Sequence, residues 1–219
     1  VTSMLTHILI DNSFDPSAVI GGKLPLTGTN GRVGKSDILV CEACEYKDTF
    51  LDLTPDISVI LNVDQDHMEY FKTLENLEAS FRKFADMSTK AVIYNGDDKN
   101  TLDSIKGISE GKTMLSFGTN ESCNYVAKNV GYNNGAFPCY DLYIDGQYKD
   151  RIELSVPGEH NVLNSLAAIA SAMYFGASVE QCKKSILSFK GAGRRFEFLG
   201  TYNGADIVDD YAHHPAELE

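Results

Sequence analysis

The side chains best suited to catalysis stand directly after two short apolar segments. Glu42 follows Ile38-Leu-Val-Cys, and His67 follows Val59-Ile-Leu-Asn-Val-Asp-Gln-Asp. An open α/β sheet presents its functional groups at the carboxyl ends of such strands. The 25-residue spacing of Glu42 and His67 suits one strand, crossover helix and next strand, which predicts neighbouring strand ends sharing a divalent cation of a Mg-nucleotide site. The alternative is that Glu42 caps a helix and His67 packs.

A glycine-rich segment imitates a phosphate-binding loop without matching it. Gly28 and Gly34 are followed by Lys35-Ser36, but five residues separate the two glycines, whereas the P-loop pattern has four. A P-loop also opens a helix, and Ser36 here leads into the apolar strand. We therefore predict a surface loop at this position.

Composition restricts the possible functions. The chain has 219 residues, 43% of them hydrophobic, and its 31 acidic and 19 basic residues give a net charge of -12. This charge disfavours nucleic acid and anionic membranes as partners. The sequence contains neither a signal-peptide pattern nor an apolar run long enough for a bilayer, so we expect a cytoplasmic protein. The five cysteines suit reduced thiols better than disulfides, and zinc or redox chemistry at Cys41-x-x-Cys44 is the less favoured interpretation.

The first half of the chain alternates between strand and helix patterns. An opening helix contains Met4, Leu5, Ile8 and Leu9 at helical spacing, and a strand over 17–22 follows. The next predicted elements are strands at 38–42, 57–63, 91–94 and 113–117 and helices near 49–53, 74–87 and 101–105. Such alternation indicates an α/β fold with a mostly parallel sheet flanked by helices.

The pattern changes after residue 120. Segments 125–130, 139–144 and 151–156 alternate in polarity and are separated by Asn-Asn-Gly and Asp-Gly turns, so we predict a small antiparallel sheet. Helices are predicted at 160–174 and 179–189, followed by a hinge at 191–193. Two further strands, 196–202 and 205–208, precede a helix that begins at Pro215.

Five sequence blocks, in order and over nearly the whole chain, resemble those of the Mur ligases, the ATP-dependent amide-bond-forming enzymes of peptidoglycan synthesis. The blocks are Glu42-Ala-Cys-Glu45-Tyr, Asn62-Val-Asp-Gln-Asp66-His67-Met, Pro157-Gly-Glu-His160-Asn161-Val-Leu-Asn164-Ser-Leu-Ala-Ala, Gly193-Arg-Arg195-Phe-Glu197 and Asp209-Asp-Tyr-Ala-His-His-Pro215. The family usually has aspartate where Cys44 stands, so a role of that carboxylate does not transfer.

The resemblance implies a domain organisation. Residues 1–190 would be the central ATP-binding domain without its P-loop, 191–204 the hinge and first strand, and 205–219 the truncated start of a Rossmann-like C-terminal domain. The absence of an initiator methionine and the opening inside a helix fit this interpretation. We expect such a fragment to be inactive alone, because a P-loop's amides and lysine would be needed for the β and γ phosphates.

The resemblance also implies an activity. The intact enzyme would use ATP and Mg²⁺ to join L-alanine to the carboxylate of UDP-N-acetylmuramate through an acyl phosphate. One alternative is attachment of a recycled tripeptide to the same UDP sugar. The segment Met68-Glu-Tyr-Phe71 favours L-alanine over the tripeptide as the acceptor. Another is a noncatalytic nucleotide-binding module. Oligomeric state stays open.

Individual residues acquire expected roles from the matching blocks. Glu42 and His67 match metal positions, and Asn164, with His160 and Asn161, matches the adenine side; helix capping is the alternative for Asn161. Arg195 matches a phosphate-binding arginine with a catalytic role, whereas Arg194 would be a surface charge.

The last matching block supplies the remaining candidates. Asp210 matches a ribose-binding acid, and His213 a catalytic position at the acyl phosphate. His214 is a substitute for His213, and Tyr211 is a candidate neighbour of the incoming amine.

Overall fold

The computed structural model describes residues 1–24, 26–134 and 136–211. Helix α1 (Thr2–Asp11) opens the chain and buries Met4, Leu5, Ile8 and Leu9, which confirms its predicted periodicity. Three strands follow, β1 (Ser17–Leu24), β2 (Thr29–Arg32) and β3 (Leu39–Cys41), in the order β2-β1-β3. Strand β1 pairs antiparallel with β2 and parallel with β3.

The segment that imitates a P-loop holds the start of β1 in place. Strand β2 lies within it, so the prediction of a loop over the whole segment was wrong; Arg32 pairs with Ala18 in the β1 register. A Cβ on Gly34 would lie 2.1 Å from the Asp15 carbonyl oxygen, and the Lys35 amide donates to the Asp15 carboxylate at 2.9 Å. Because β3 and not a helix follows, the segment lacks the context of a P-loop.

A six-stranded sheet forms the larger part of the molecule. Its order is β4-β5-β6-β7-β8-β9, with parallel pairing from β4 to β7 and antiparallel pairing from β7 to β9. The three predicted antiparallel strands therefore pair as expected and extend the parallel sheet through β7, but the third occupies Gln147–Glu153 and not the predicted 151–156. The bounds are β4 (Ile57–Ile60), β5 (Ala91–Asn95), β6 (Thr113–Gly118), β7 (Tyr125–Asn133), β8 (Phe137–Ile144) and β9 (Gln147–Glu153).

Helices connect and cover the strands. A 3-10 helix (Tyr46–Asp52) precedes β4, α2 (Met68–Phe71) and α3 (Leu74–Met87) precede β5, and α4 (Lys99–Ser104) precedes β6. Helices α5 (His160–Tyr174) and α6 (Val179–Ser188) follow β9, and the hairpin of β10 (Glu197–Tyr202) and β11 (Ala205–Asp209) ends the described chain. Among the described residues, no helix has the length and apolarity to cross a bilayer.

Local sequence explains where the best-defined helices begin. The Thr73 side chain accepts from the Asn76 amide at the start of α3, and Ser178 and Gln181 form a capping box at the start of α6. Helix α5 is rich in alanine and contacts α1, α6 and strands β5 to β8. The Tyr140 hydroxyl of β8 lies 2.8 Å from Ser165 Oγ of α5, so both buried hydroxyls have a partner.

Candidate functional site

An open cleft of about 2740 Å³ is lined by residues of β3, β4, the start of α5 and the 191–211 segment. No backbone pairing joins β3 to β4 in the described chain, since β3 pairs with β1 and β4 with β5. The prediction that Glu42 and His67 follow neighbouring strands was therefore wrong. The cleft nevertheless gathers six of the predicted site residues, Glu42, His160, Asn161, Asn164, Arg195 and Asp210.

Strand β1 positions Glu42 at the end of β3. Its amide donates to the Val19 carbonyl oxygen at 2.9 Å, and its Oε2 accepts from the Gly21 amide at 2.9 Å. A Cβ on Gly21 would lie 2.5 Å from Glu42 Oε1, so a side chain at position 21 would displace the carboxylate from this place. The carboxylate is thus held in an exposed position on the cleft, where its hard oxygens suit Mg²⁺. The structure leaves its metal role a prediction.

His67 belongs to a different cluster. Its Nε2 lies 3.6 Å from Glu45 Oε1, its Nδ1 lies 3.7 Å from Asp66 Oδ1, and its ring is 4.7 Å from that of Tyr46. One ligand atom from each of Glu45, Asp66 and His67 lies within 4.8 Å of the others. His67 is absent from the described lining of the cleft, so its predicted partnership with Glu42 stays untested. Imidazole is an uncommon Mg²⁺ ligand, and the carboxylates of Glu45 and Asp66 offer the oxygen atoms that Mg²⁺ prefers.

The start of α5 presents two linked amides. Asn161 Nδ2 donates to the Pro157 carbonyl oxygen at 2.7 Å, and Asn164 Nδ2 donates to Asn161 Oδ1 at 3.1 Å. Asn161 therefore bonds to the loop before α5, which is close to the helix-capping role given as its alternative, and it orients Asn164. His160 is exposed beside Gly158, where an added Cβ would lie 2.6 Å from the His160 ring. The adenine-side roles stay predictions.

Backbone amides of the predicted hinge region bond to β1 and, within the 191–211 segment itself, to Asp210. The Gly193 amide donates to the Lys23 carbonyl oxygen of β1 at 2.9 Å, and the Phe196 amide donates to Asp210 Oδ2 at 2.7 Å. Arg194, the expected surface charge, is exposed and lies over the Tyr211 ring at 4.9 Å. Arg195 is an exposed residue of the cleft lining.

Two predicted groups cannot be placed. His213 and His214 lie outside the described residues, as does the helix predicted from Pro215.

Sequence reasoning missed the contacts that surround His67. Tyr70 donates through its hydroxyl to Asp48 Oδ2 at 2.8 Å, and Ser80 donates to Asp48 Oδ1. Glu45 stands inside the first matched block, so its type and position were a usable signal. Asp48 had none, because its partners lie 22 and 32 residues away.

Comparisons with known proteins agree with the fold. The profile of the Mur ligase middle domain matches residues 1–172. The chain therefore belongs to the Mur ligase family, which confirms the resemblance and the predicted fold class.

Within that family its similar relatives are UDP-N-acetylmuramate–L-alanine ligases. The protein of Caldanaerobacter subterraneus subsp. tengcongensis is 43% identical over 219 residues, which are 99% of this chain and 47% of the relative. That of Clostridium acetobutylicum is 41% identical over 222 residues, covering 100% of this chain and 47% of the relative. The chain spans about half the length of the curated relatives it matches.

Solved structures give the same architecture. UDP-N-acetylmuramate–alanine ligase MurC from Thermotoga maritima superposes with a TM-score of 0.84 at 26% identity, over 99% of this chain and 49% of that one. The UDP-N-acetylmuramate:L-alanyl-gamma-D-glutamyl-meso-diaminopimelate ligase from Neisseria meningitides gives 0.76 at 25% identity, over 88% and 63%. MurF ligase from Thermotoga maritima, solved in complex with ADP, gives 0.74 at 24% identity, over 99% and 52%, a likeness of fold alone.

Proposed function

We propose that this chain is the central part of a longer, ATP-dependent ligase of peptidoglycan synthesis that joins L-alanine to the carboxylate of UDP-N-acetylmuramate. The observation that carries the proposal is the cleft, which gathers an acidic group, two amides and an arginine from separate elements. The 41–43% identity to UDP-N-acetylmuramate–L-alanine ligases supports this substrate pair.

The proposed reaction balances with one ATP per amide bond. The muramate carboxylate oxygen takes the γ-phosphoryl group and releases ADP. The amine of L-alanine then adds to the acyl phosphate carbon, and the tetrahedral intermediate expels inorganic phosphate as the amine loses its proton. Catalysis of this kind depends on positioning and on neutralising the phosphoryl oxygens.

The chain's own residues have separate tasks in this proposal. Glu42 would hold Mg²⁺, with His67 as a further ligand, and the chemistry such an ion would supply there is neutralisation of charge on the phosphoryl oxygens. The Glu42 carboxylate fits that task because β1 holds it in an exposed position on the cleft. Arg195 offers a planar fork of donors to the phosphate oxygens. His213 would meet the acyl phosphate.

The adenine and ribose of the nucleotide would be bound by the amides of α5 and by Asp210. Asn164, oriented by Asn161, can both donate to and accept from the adenine edge, and His160 stands beside them. Asp210 would accept from the ribose hydroxyls, although its Oδ2 already accepts from the Phe196 amide.

The test is phosphate release by the full-length protein given Mg-ATP and UDP-N-acetylmuramate. Release that depends on L-alanine supports the proposal, and release that depends only on the tripeptide assigns the alternative, whose solved representative from Neisseria meningitides superposes less closely than the alanine ligase from Thermotoga maritima. No release with either acceptor, from folded protein, would leave the noncatalytic nucleotide-binding module. The 219 residues alone should release none, since they span about half the length of the relatives.

A further inference from the structure

The turn that follows Glu42 contacts the segment that contains His67. We call residues 45–48 the latch turn. Its Glu45 carboxylate lies 3.6 Å from His67 Nε2, and its Tyr46 ring packs 4.7 Å from the imidazole at an interplanar angle of 47°. The Asp48 carboxylate accepts from Tyr70 at 2.8 Å, three residues beyond His67. Two separate stretches of chain thus meet at three points, two of them on the His67 imidazole and the third at Tyr70.

The latch turn has a backbone that needs such support. Lys47 and Asp48 are consecutive non-glycine residues in the left-handed region, with φ of 54° and 61°. Side chains disfavour this conformation, which persists where surrounding contacts hold it. The backbone bond from the Asp48 amide to the Glu45 carbonyl oxygen, 2.8 Å, closes the turn. The side-chain bonds of Asp48 tie it to α2 through Tyr70 and to α3 through Ser80.

The imidazole has its own conformational constraint. His67 also lies in the left-handed region, with φ of 54°, and its carbonyl oxygen accepts from the Tyr70 amide at 2.9 Å. Tyr70 therefore joins the His67 backbone to the Asp48 carboxylate. The hydrogen bond from the Tyr70 hydroxyl to Asp48 raises the pKa of that hydroxyl, and desolvation adds to the effect. The phenol therefore stays protonated and acts as the donor.

The latch turn runs into the 3-10 helix (Tyr46–Asp52), whose Phe50 anchors it to α3. Phe50 is buried and its ring stacks on Phe84 at 4.7 Å and meets Phe81 edge-on at 5.2 Å. Helix α3 is thereby the rigid base on which the turn rests. Removing the Asp48 bonds would loosen the latch turn while leaving Phe50 packed against α3.

We propose that Asp48 is a positioning residue, which holds the latch turn against Tyr70 and Ser80 and so sets where the His67 imidazole stands. The inference rests on the proposed function, in which His67 is a metal ligand. Partners of this kind orient metal ligands without touching the ion.

The kinetic test uses full-length protein with Asp48→Ala, Tyr70→Phe and the double variant. Glu110→Gln, an exposed carboxylate in the loop before β6, is the matched control. We expect the Mg²⁺ concentration at half-maximal phosphate release to rise by about tenfold in both single variants, with KM for L-alanine unchanged. The double variant should lose no more than Asp48→Ala, because both changes remove the same bond. Glu110→Gln should match the wild type.

Two results of the kinetic test would overturn the inference. One is an unchanged Mg²⁺ dependence in folded Tyr70→Phe protein, which keeps the backbone of the latch turn as it is. The other is a fall in rate that merely follows a lowered melting temperature, which would make Asp48 structural.

A second readout separates this inference from the proposed function. In full-length protein with ¹³C-labelled histidine, the His67 ring signal is assigned by its loss in His67→Gln. Tyr70→Phe should shift that signal, and Glu110→Gln should not. If wild-type protein releases no phosphate, the proposed function fails, while an unshifted His67 signal in Tyr70→Phe overturns the positioning role by itself.

Discussion

The packed framework and the rim of the cleft are built in opposite ways. The framework consists of α1, α5, α6 and the six-stranded sheet, and its Leu166 to Ile169 are 0% exposed. The rim residues Glu42 and Arg195 are exposed and lie where a strand or a hinge segment ends. Stability therefore resides mainly in the framework, whereas the proposed chemistry resides on the rim. Substitutions should separate the two properties.

The strongest test of this separation is Glu42→Ala in the full-length protein. We expect turnover to fall by about 100-fold or more while the melting temperature stays within error, since the carboxylate is exposed. The measurements are phosphate release and thermal unfolding. Glu153→Ala removes an exposed carboxylate at the end of β9 and should change neither. A large fall in the Glu42→Ala melting temperature would show that the rim also carries the fold.

Truncating a framework side chain should do the reverse. Leu166→Ala in this chain should lower the free energy of unfolding by about 3 kcal/mol, through lost burial and a cavity. Leu199 of the terminal hairpin is 61% exposed, and Leu199→Ala should cost less than about 0.5 kcal/mol. Urea unfolding followed by circular dichroism measures both. Equal losses would contradict the assignment of stability to the framework.

Fold and site were predictable to different depths. The bounds of α3 and α5 match those predicted, because apolar periodicity defines both helices. Strand β2 was missed because Thr29-Asn-Gly-Arg32 has no apolar alternation, and only pairing with β1 makes it a strand.

The candidate site depended on long-range geometry. The rim residues come from segments separated by more than a hundred positions, so only the family resemblance could group them. The cluster of His67 with Glu45 depends on left-handed residues at 47 and 48, for which neither lysine nor aspartate is a clear signal.

A smaller effect is expected at a helix terminus of the framework. Ser178→Ala removes one half of the capping box of α6 and should lower the free energy of unfolding by about 1 kcal/mol. Ser178→Asp keeps an acceptor for the Gln181 amide and should recover most of the loss. Urea titration of the three proteins is the measurement. A neutral Ser178→Ala would mean that packing alone holds the helix.

The smallest expected effect is a pH dependence from His7. Burial lowers the pKa of His7, against the opposing charge of Asp11, and its Nε2 lies 2.9 Å from Ser188 Oγ. Below about pH 6.5 the unfolded chain binds a proton at this position more readily than the folded one. The free energy of unfolding should therefore fall as pH drops through that value and level off below the folded pKa.

The check for His7 is urea unfolding at a series of pH values. His7→Gln should reduce the slope between about pH 6.5 and the lower plateau. An unchanged slope would assign the pH dependence to other groups.

The contact of α1 with α6 has a consequence for synthesis on the ribosome. His7 and Ser188 are 181 positions apart, so the apolar face of α1 leaves the exit tunnel long before α6 exists. At ordinary elongation rates that interval is roughly 10 to 35 seconds. During it Met4, Leu5, Ile8 and Leu9 lack α6, one of the elements against which α1 packs in the folded chain. The packing of α1 against α6 can therefore form only late in the synthesis of this segment.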